Sequence, residues 1–140
     1  MKKNIIWALI IVVVLGAVNI WYYVFQYSKT HHRDVTNEVA MLVTSAQIVK
    51  DFQSNEKMAN AKYLNKAIEV KGELLQEDKD QSGNVTLTLK SGDPFSNIFC
   101  TLKPGLPLPI KGSMVIVKGV CTGFLSDVVL NNAIVVKSVQ

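Results

Sequence analysis

Residues 68–72 read Ile68-Glu69-Val70-Lys71-Gly72, apolar alternating with charged, and the run closes on glycine. A period of two is the signature of a half-buried strand. Glycine inside a strand weakens it but permits sharp coiling. The same tripeptide end recurs as Val117-Lys118-Gly119. Two strands with an internal glycine suit a tightly coiled barrel in which those strands serve both sheets. Leu74 continues the first alternation, against Glu73. Val85, Leu87 and Leu89 alternate with Thr86, Thr88 and Lys90, and Ile98, Cys100 and Leu102 with Phe99, Thr101 and Lys103. Val115, Val117 and Cys121 share a face with Gly119. Val128 to Val136 is apolar but loses its alternation at Asn131-Asn132, the mark of a bulge. Five short strands separated by turn signals predict a small barrel or sandwich. Gln81-Ser82-Gly83-Asn84 is the clearest hairpin turn. Pro104-Gly105-Leu106-Pro107-Leu108-Pro109 predicts an extended connection, since its prolines forbid an ordinary helix.

Upstream the period changes. Glu38 to Val43 holds a short apolar stretch that suits extended chain. Thr44-Ser45-Ala46-Gln47 fits a capping box, with Val43 placed to staple onto Ile48. The predicted helix runs from about Ser45 to Gln53 and puts Ile48, Val49 and Phe52 on one face. Ser54 or Asn55 caps a second helix, about Glu56 to Leu64.

The N-terminus differs in kind. Ile5 to Phe25 is a run of 21 residues without a charge, interrupted only by Asn19. As a helix it spans about 31 Å, against a hydrocarbon core of about 30 Å. Trp7 lies near one end and Trp21, Tyr22, Tyr23 and Tyr27 near the other, where amphipathic rings favour bilayer interfaces. A cleaved signal peptide is the competing reading. The run is longer than an ordinary signal core, and bulky Ile20, Trp21, Tyr22 and Tyr23 stand where a peptidase needs small residues. The expectation is an uncleaved anchor at 5–25, with residues 1–4 cytoplasmic and 26–36 a polar linker. Residues 37–140 then form the domain, with helices in 45–64 and a barrel in 65–137. Lys2 and Lys3 before the run nearly balance Lys29 and Arg33 after it. Their closeness to the span places the N-terminus inside and the domain outside, periplasmic or otherwise extracytoplasmic.

The chain has 140 residues, a formal net charge of +4 and a pI near 9.1, which by itself would suggest nucleic acid. Its distribution removes that signal. Of 15 basic residues, Lys2, Lys3, Lys29 and Arg33 flank the apolar run. The other 11 lie after it together with all 11 acids, so residues 34–140 carry no formal net charge. They also contain no arginine, the side chain best suited to bidentate phosphate or guanine contacts.

Phe52, Asn55, Ala59 and Ala61 lead into Lys62-Tyr63-Leu64-Asn65-Lys66 and then Ile68-Glu69-Val70-Lys71-Gly72. This succession resembles the opening of the tRNA anti-like family of bacterial OB-fold proteins. Ile98-Phe99-Cys100, Val117-Lys118-Gly119-Val120-Cys121-Thr122-Gly123 and Asp127-Val128-Val129-Leu130 extend the resemblance over about residues 44–135. The resemblance implies a mainly β fold with N-terminal helices: a five-stranded OB-fold-like barrel preceded by two short helices and, here, one transmembrane helix. It also implies a membrane or lipid anchor, and it brings no activity with it. The family name reflects similarity to anticodon-binding OB domains.

OB folds bind ligands on the face of the second and third strands. Here that face offers Thr86, Thr88, Lys90, Phe99, Thr101 and Lys103. One aromatic and two lysines make a thin platform for single-stranded nucleic acid. Phe95, Phe99 and Phe124 are the alternative lining, for an envelope protein or peptide. Cys100 and Cys121 both fall on the inward face. They are either a disulfide of an exported domain, closing a loop of about 20 residues, or two small buried hydrophobes. His31 and His32 are adjacent and read as solvated linker. Asp78-x-Asp80-x-Ser82-Gly83 resembles half a calcium loop, but Leu89 stands where a bidentate Glu is needed. Glu69 and Glu73 read as solvated carboxylates. No nucleophile elbow, phosphate loop or zinc-protease motif is present. The expectation is a non-catalytic binding or scaffolding module at the cell envelope, without cofactor or metal. Single-stranded nucleic-acid binding is the alternative.

Overall fold

The computed structural model describes residues 2–27 and 34–139. The chain divides into two compact units, residues 1–33 and 34–140. The first is helix α1, Lys2–Tyr22, continued by one π-helical stretch, Tyr23–Tyr27. It contains a stretch, Ile5–Phe25, long and apolar enough to cross a membrane by length and composition. Trp21 and Phe25 lie with ring centroids 6.0 Å apart. The expected linker residues Lys29, His31, His32 and Arg33 lie outside the described residues.

The second unit is mainly β. Its elements are β1 (Met41–Thr44), α2 (Ser45–Ser54), α3 (Glu56–Tyr63), β2 (Ala67–Lys79), β3 (Val85–Lys90), β4 (Ile98–Leu102), β5 (Met114–Phe124) and β6 (Val128–Val139). The strand order is β1-β2-β3-β4-β6-β5, and β5 returns to pair with β2. Strands β2 to β6 therefore close into the expected five-stranded barrel. β4 and β6 run parallel, and the other barrel pairs are antiparallel. β1 is a sixth strand, laid parallel on the first half of β2.

The caps form much as their residues dictate. Thr44 Oγ1 accepts from the Gln47 N–H at 3.2 Å, and Asn55 Oδ1 from the Met58 N–H at 3.1 Å. Gln47 does not complete the capping box; its Nε2 turns to Asp51 Oδ1 at 2.6 Å. Inside the barrel, Ile68, Val70, Leu74, Leu87, Leu89, Ile98, Val115, Val117 and Leu130 are buried. Ile48, Val49 and Phe52 of α2 and Ala59 and Tyr63 of α3 join the same cluster, so the helix pair packs into the barrel core. Phe52 sits between Tyr63 and Phe124, with centroid distances of 5.9 and 5.5 Å.

Gly72 explains how β2 serves two sheets. Up to Lys71 its edge pairs with β1, and from Glu73 onward with β3. A Cβ on Gly72 would stand 2.9 Å from Ser45 Oγ and 3.2 Å from Leu89 Cβ. The missing side chain is the notch into which the first turn of α2 fits. Ser45 is held there by its hydroxyl, which donates to the Lys90 carbonyl at 2.6 Å. Gly119 faces the bulge foreseen at Asn131-Asn132, where Asn132 has φ +52 and the β5–β6 register slips between Lys118 and Val120. A Cβ on Gly119 would lie 3.2 Å from the Asn131 carbonyl.

The chain before β1 is not free linker. Val35 is fully buried with Ala67 and Val120 in a small outer cluster. The boundary expected at residue 37 therefore moves to Asp34, because an apolar side chain gains more on the barrel wall than in water.

Gly72→Ala is expected to lower unfolding stability by about 1–3 kcal/mol, the usual cost of overpacking, and Gly72→Val by more. In urea unfolding followed by circular dichroism, Ser45→Ala with Gly72→Ala should cost less than the sum of the two single changes. Strict additivity would show that the notch is not what Gly72 provides.

Candidate ligand-binding face

The β3–β4 register pairs Thr86 with Thr101 and Thr88 with Phe99. Leu87, Leu89, Ile98, Cys100 and Leu102 turn inward and are buried. The opposite parity brings Thr86, Thr88, Lys90, Phe99, Thr101 and Lys103 onto one outer surface, as expected. The quality of that surface differs from the expectation. Thr86 is only 4% exposed and offers a ligand little. Thr88, Phe99 and Thr101 are half-buried. The two lysines stand at opposite ends, separated by about 20 Å along the strands.

Each lysine already has an acidic neighbour. Lys90 Nζ lies 3.8 Å from Glu73 Oε2, and Lys103 Nζ lies 2.6 Å from Asp34 Oδ1. The Lys103 ammonium, with help from Thr36, holds the Asp34 carboxyl far below the ordinary carboxylate range. The face is thus a neutral strip of threonine hydroxyls around one phenyl ring, with compensated charges at both ends.

The proposed phenylalanine lining separates in space. Phe124 stacks on Phe52 and belongs with the core. Phe95 is 85% exposed on the β3–β4 loop, and Leu125, which the sequence did not single out, is 87% exposed on the β5–β6 turn. These loops are tied together. Asp127 Oδ1 accepts from the Asn97 N–H at 2.7 Å, and the Asn97 carbonyl from the Val128 N–H at 3.0 Å. Asp93 accepts from the N–H groups of Phe95 and Ser96, both at 2.8 Å, which stiffens the loop carrying Phe95. The Phe95 bond is the main reason its carboxyl falls below the usual range.

Cys100 and Cys121 are buried and free. β6 runs between their strands, and Leu130 is the register partner of both. Two inter-strand spacings put their Cα atoms about 10 Å apart, beyond the roughly 7 Å a disulfide can bridge. Of the two readings, the buried-thiol one fits this geometry. Burial pushes both thiols up. The half calcium loop is also accounted for. Asp80 accepts from the N–H groups of Ser82 and Asn84, at 2.8 and 2.9 Å, and from the Asn84 side chain. It is a hairpin organiser, with Gly83 at φ +82. Among the described residues no group of three or more His, Cys, Asp or Glu is placed to hold a metal.

Two polar clusters escaped the sequence reading. The first joins the helices. Tyr63 Oη donates to Asp51 Oδ2 at 2.6 Å, and Lys62 Nζ reaches the same oxygen at 3.0 Å. The Tyr63 bond is the first cause of a lowered Asp51 carboxyl, and burial with that bond raises the Tyr63 phenol. The second is Lys118, whose side chain is only 8% exposed. Its Nζ donates to the carbonyls of Thr36 and Glu38 and lies 3.8 Å from Glu69 Oε1. Glu69 is therefore not the freely solvated carboxylate expected, because a buried ammonium beside it needs a counter-charge. Segment 34–38 is strapped to the barrel by Lys103 at one end and Lys118 further on.

Residues 1–135 match the tRNA_anti-like family. The chain belongs to that family. No curated protein matches the chain. Among solved structures, the chain is similar to a protein of Klebsiella pneumoniae described as a "putative nucleic acid-binding lipoprotein". The TM-score is 0.53 at 19% identity, over 76% of this chain and 100% of that one. It is also similar to a "putative aspartyl-tRNA synthetase" of Leishmania major, with a TM-score of 0.44 at 10% identity, over 77% of this chain and 23% of that one. At 19% identity the likeness to the Klebsiella protein shows a shared fold. The tRNA_anti-like chain carries its two polar clusters on that barrel.

Asp51→Asn is expected to destabilise the domain by about 1–3 kcal/mol at neutral pH, because the buried Tyr63 hydroxyl loses its charged acceptor. A carboxyl lowered by folding contributes stability above the ordinary carboxylate pKa, about 4, and loses it as pH falls through the lowered value. Thermal melts should show the gap between wild type and variant closing toward pH 2; a constant gap contradicts this. Mass spectrometry of unreduced, alkylated protein should find two thiols that react only after unfolding.

Proposed function

We propose that this tRNA_anti-like chain is a single-pass, membrane-anchored OB module that binds or scaffolds at the cell envelope and performs no catalysis. The observation that carries the reading is the compensated face. Lys90 and Lys103 stand apart, each beside a carboxylate, and residues 34–140 carry equal numbers of acids and bases. A strip of hydroxyls with one ring suits a neutral peptide or protein segment better than a polyphosphate backbone, which needs uncompensated cations. The apolar Ile5–Phe25 helix supports the anchor, and the flanking lysines favour an extracytoplasmic barrel. Phe95 and Leu125 offer apolar contact beside the face.

Single-stranded nucleic acid is the second reading. It is supported by the family's relation to anticodon-binding domains and by the description of the Klebsiella protein. Phe99 would then stack a base, and Lys90 and Lys103 would meet phosphates after releasing Glu73 and Asp34.

Fluorescence anisotropy with labelled single-stranded DNA and RNA separates the two. The first reading expects weak binding with little salt dependence, and crosslinking that yields envelope proteins. Binding that falls steeply from about 50 to 200 mM salt, weakens in Lys90→Ala and Lys103→Ala and strengthens in Asp34→Ala would replace it with the second.

A further inference from the structure

We propose that α1 pairs with α1 of a second copy of this chain, through a seam centred on Gly16 and Asn19; the proposal rests on the membrane-anchor reading above. Asn19 lies four residues beyond the midpoint of the Ile5–Phe25 stretch. At 1.5 Å per residue that is about 6 Å from the centre, well inside a hydrocarbon half-thickness of about 15 Å. Its Nδ2 donates to the Leu15 carbonyl at 2.8 Å. A carboxamide has a second N–H and a carbonyl oxygen to satisfy. The helix cannot supply a donor for that oxygen, because its interior backbone N–H groups are committed to the helical ladder. The bilayer supplies no water.

A second copy supplies what is missing. The carboxamide is both donor and acceptor, so it is its own complement. Across a twofold axis, each Asn19 gives an N–H to the other's Oδ1, and both lie at the same depth by symmetry. Any other partner would have to carry a matching polar group at that level.

Gly16 sits one turn before Asn19, on the same face. A Cβ added there meets nothing within 4 Å. The missing side chain therefore serves no packing within the chain, while it lets a second helix approach closely. Leu9, Val12, Gly16 and Asn19 recur at alternating spacings of three and four, the seam of a left-handed helix pair. Leu9 and Val12 are 60% and 65% exposed, so the seam is uncovered in the single chain.

The test uses the full chain, labelled separately with donor and acceptor fluorophores and reconstituted in phosphatidylcholine–phosphatidylglycerol vesicles. Energy transfer should rise with the protein-to-lipid ratio and depend linearly on acceptor fraction, as for a dimer. Asn19→Leu should weaken association on the order of tenfold, Gly16→Ile should weaken it as well, and Asn19→Gln should restore it. Transfer unchanged in Asn19→Leu and Gly16→Ile, or absent in wild type, overturns the pairing. Flotation of the same vesicles separates the two failures. A chain that floats but shows no transfer removes the seam alone, whereas a chain that does not float removes the anchor and the seam with it.

Discussion

The barrel depends on one strand pairing with both of its sheets. β2 holds β5 from Ala67 to Glu73, and along its other edge it passes from β1 to β3 at Gly72. That change requires the chain to coil sharply, and it leaves a notch on the inside of the turn. Ser45 fills the notch, which fixes where α2 starts, which in turn drops Ile48, Val49 and Phe52 into the core. Without the glycine, the helix and the strand crossing compete for the same space.

The helix pair is fixed by the same logic one step further out. Phe52 and Tyr63 are apolar surfaces that must be buried, but Tyr63 carries a hydroxyl that cannot be buried alone. Asp51 answers it, and Lys62 balances Asp51. The strap of residues 34–38 is a parallel case: Val35 docks on the barrel wall, and Lys118, overrun by the strap, is satisfied by the carbonyls that bury it. Both convert a packing contact into a defined one.

The candidate face follows from strand parity and so was readable in advance. Its residues alternate with core residues, and the register delivers them to one surface. Its electrostatic character was not readable. Lys103 meets Asp34 across 69 positions of sequence, and such a pairing has no local signature. The cysteines are similar. Both were rightly placed on the inward face, but the distance between them depends on which strand lies between.

Alternation of apolar and polar residues, together with two internal glycines, determined the five strands, because a strand's two faces meet different solvents whatever the rest of the chain does. Turn chemistry and capping residues likewise marked the hairpin at Gly83 and both helix starts, and lost alternation marked the bulge at Asn131-Asn132. Only the closed structure decided that Lys71 stays in solvent while Lys118, in the same Val-Lys-Gly setting, is buried. The difference is made by segment 34–38, whose carbonyls cover Lys118, and burial of that kind is a property of the whole barrel, not of the residues beside the lysine.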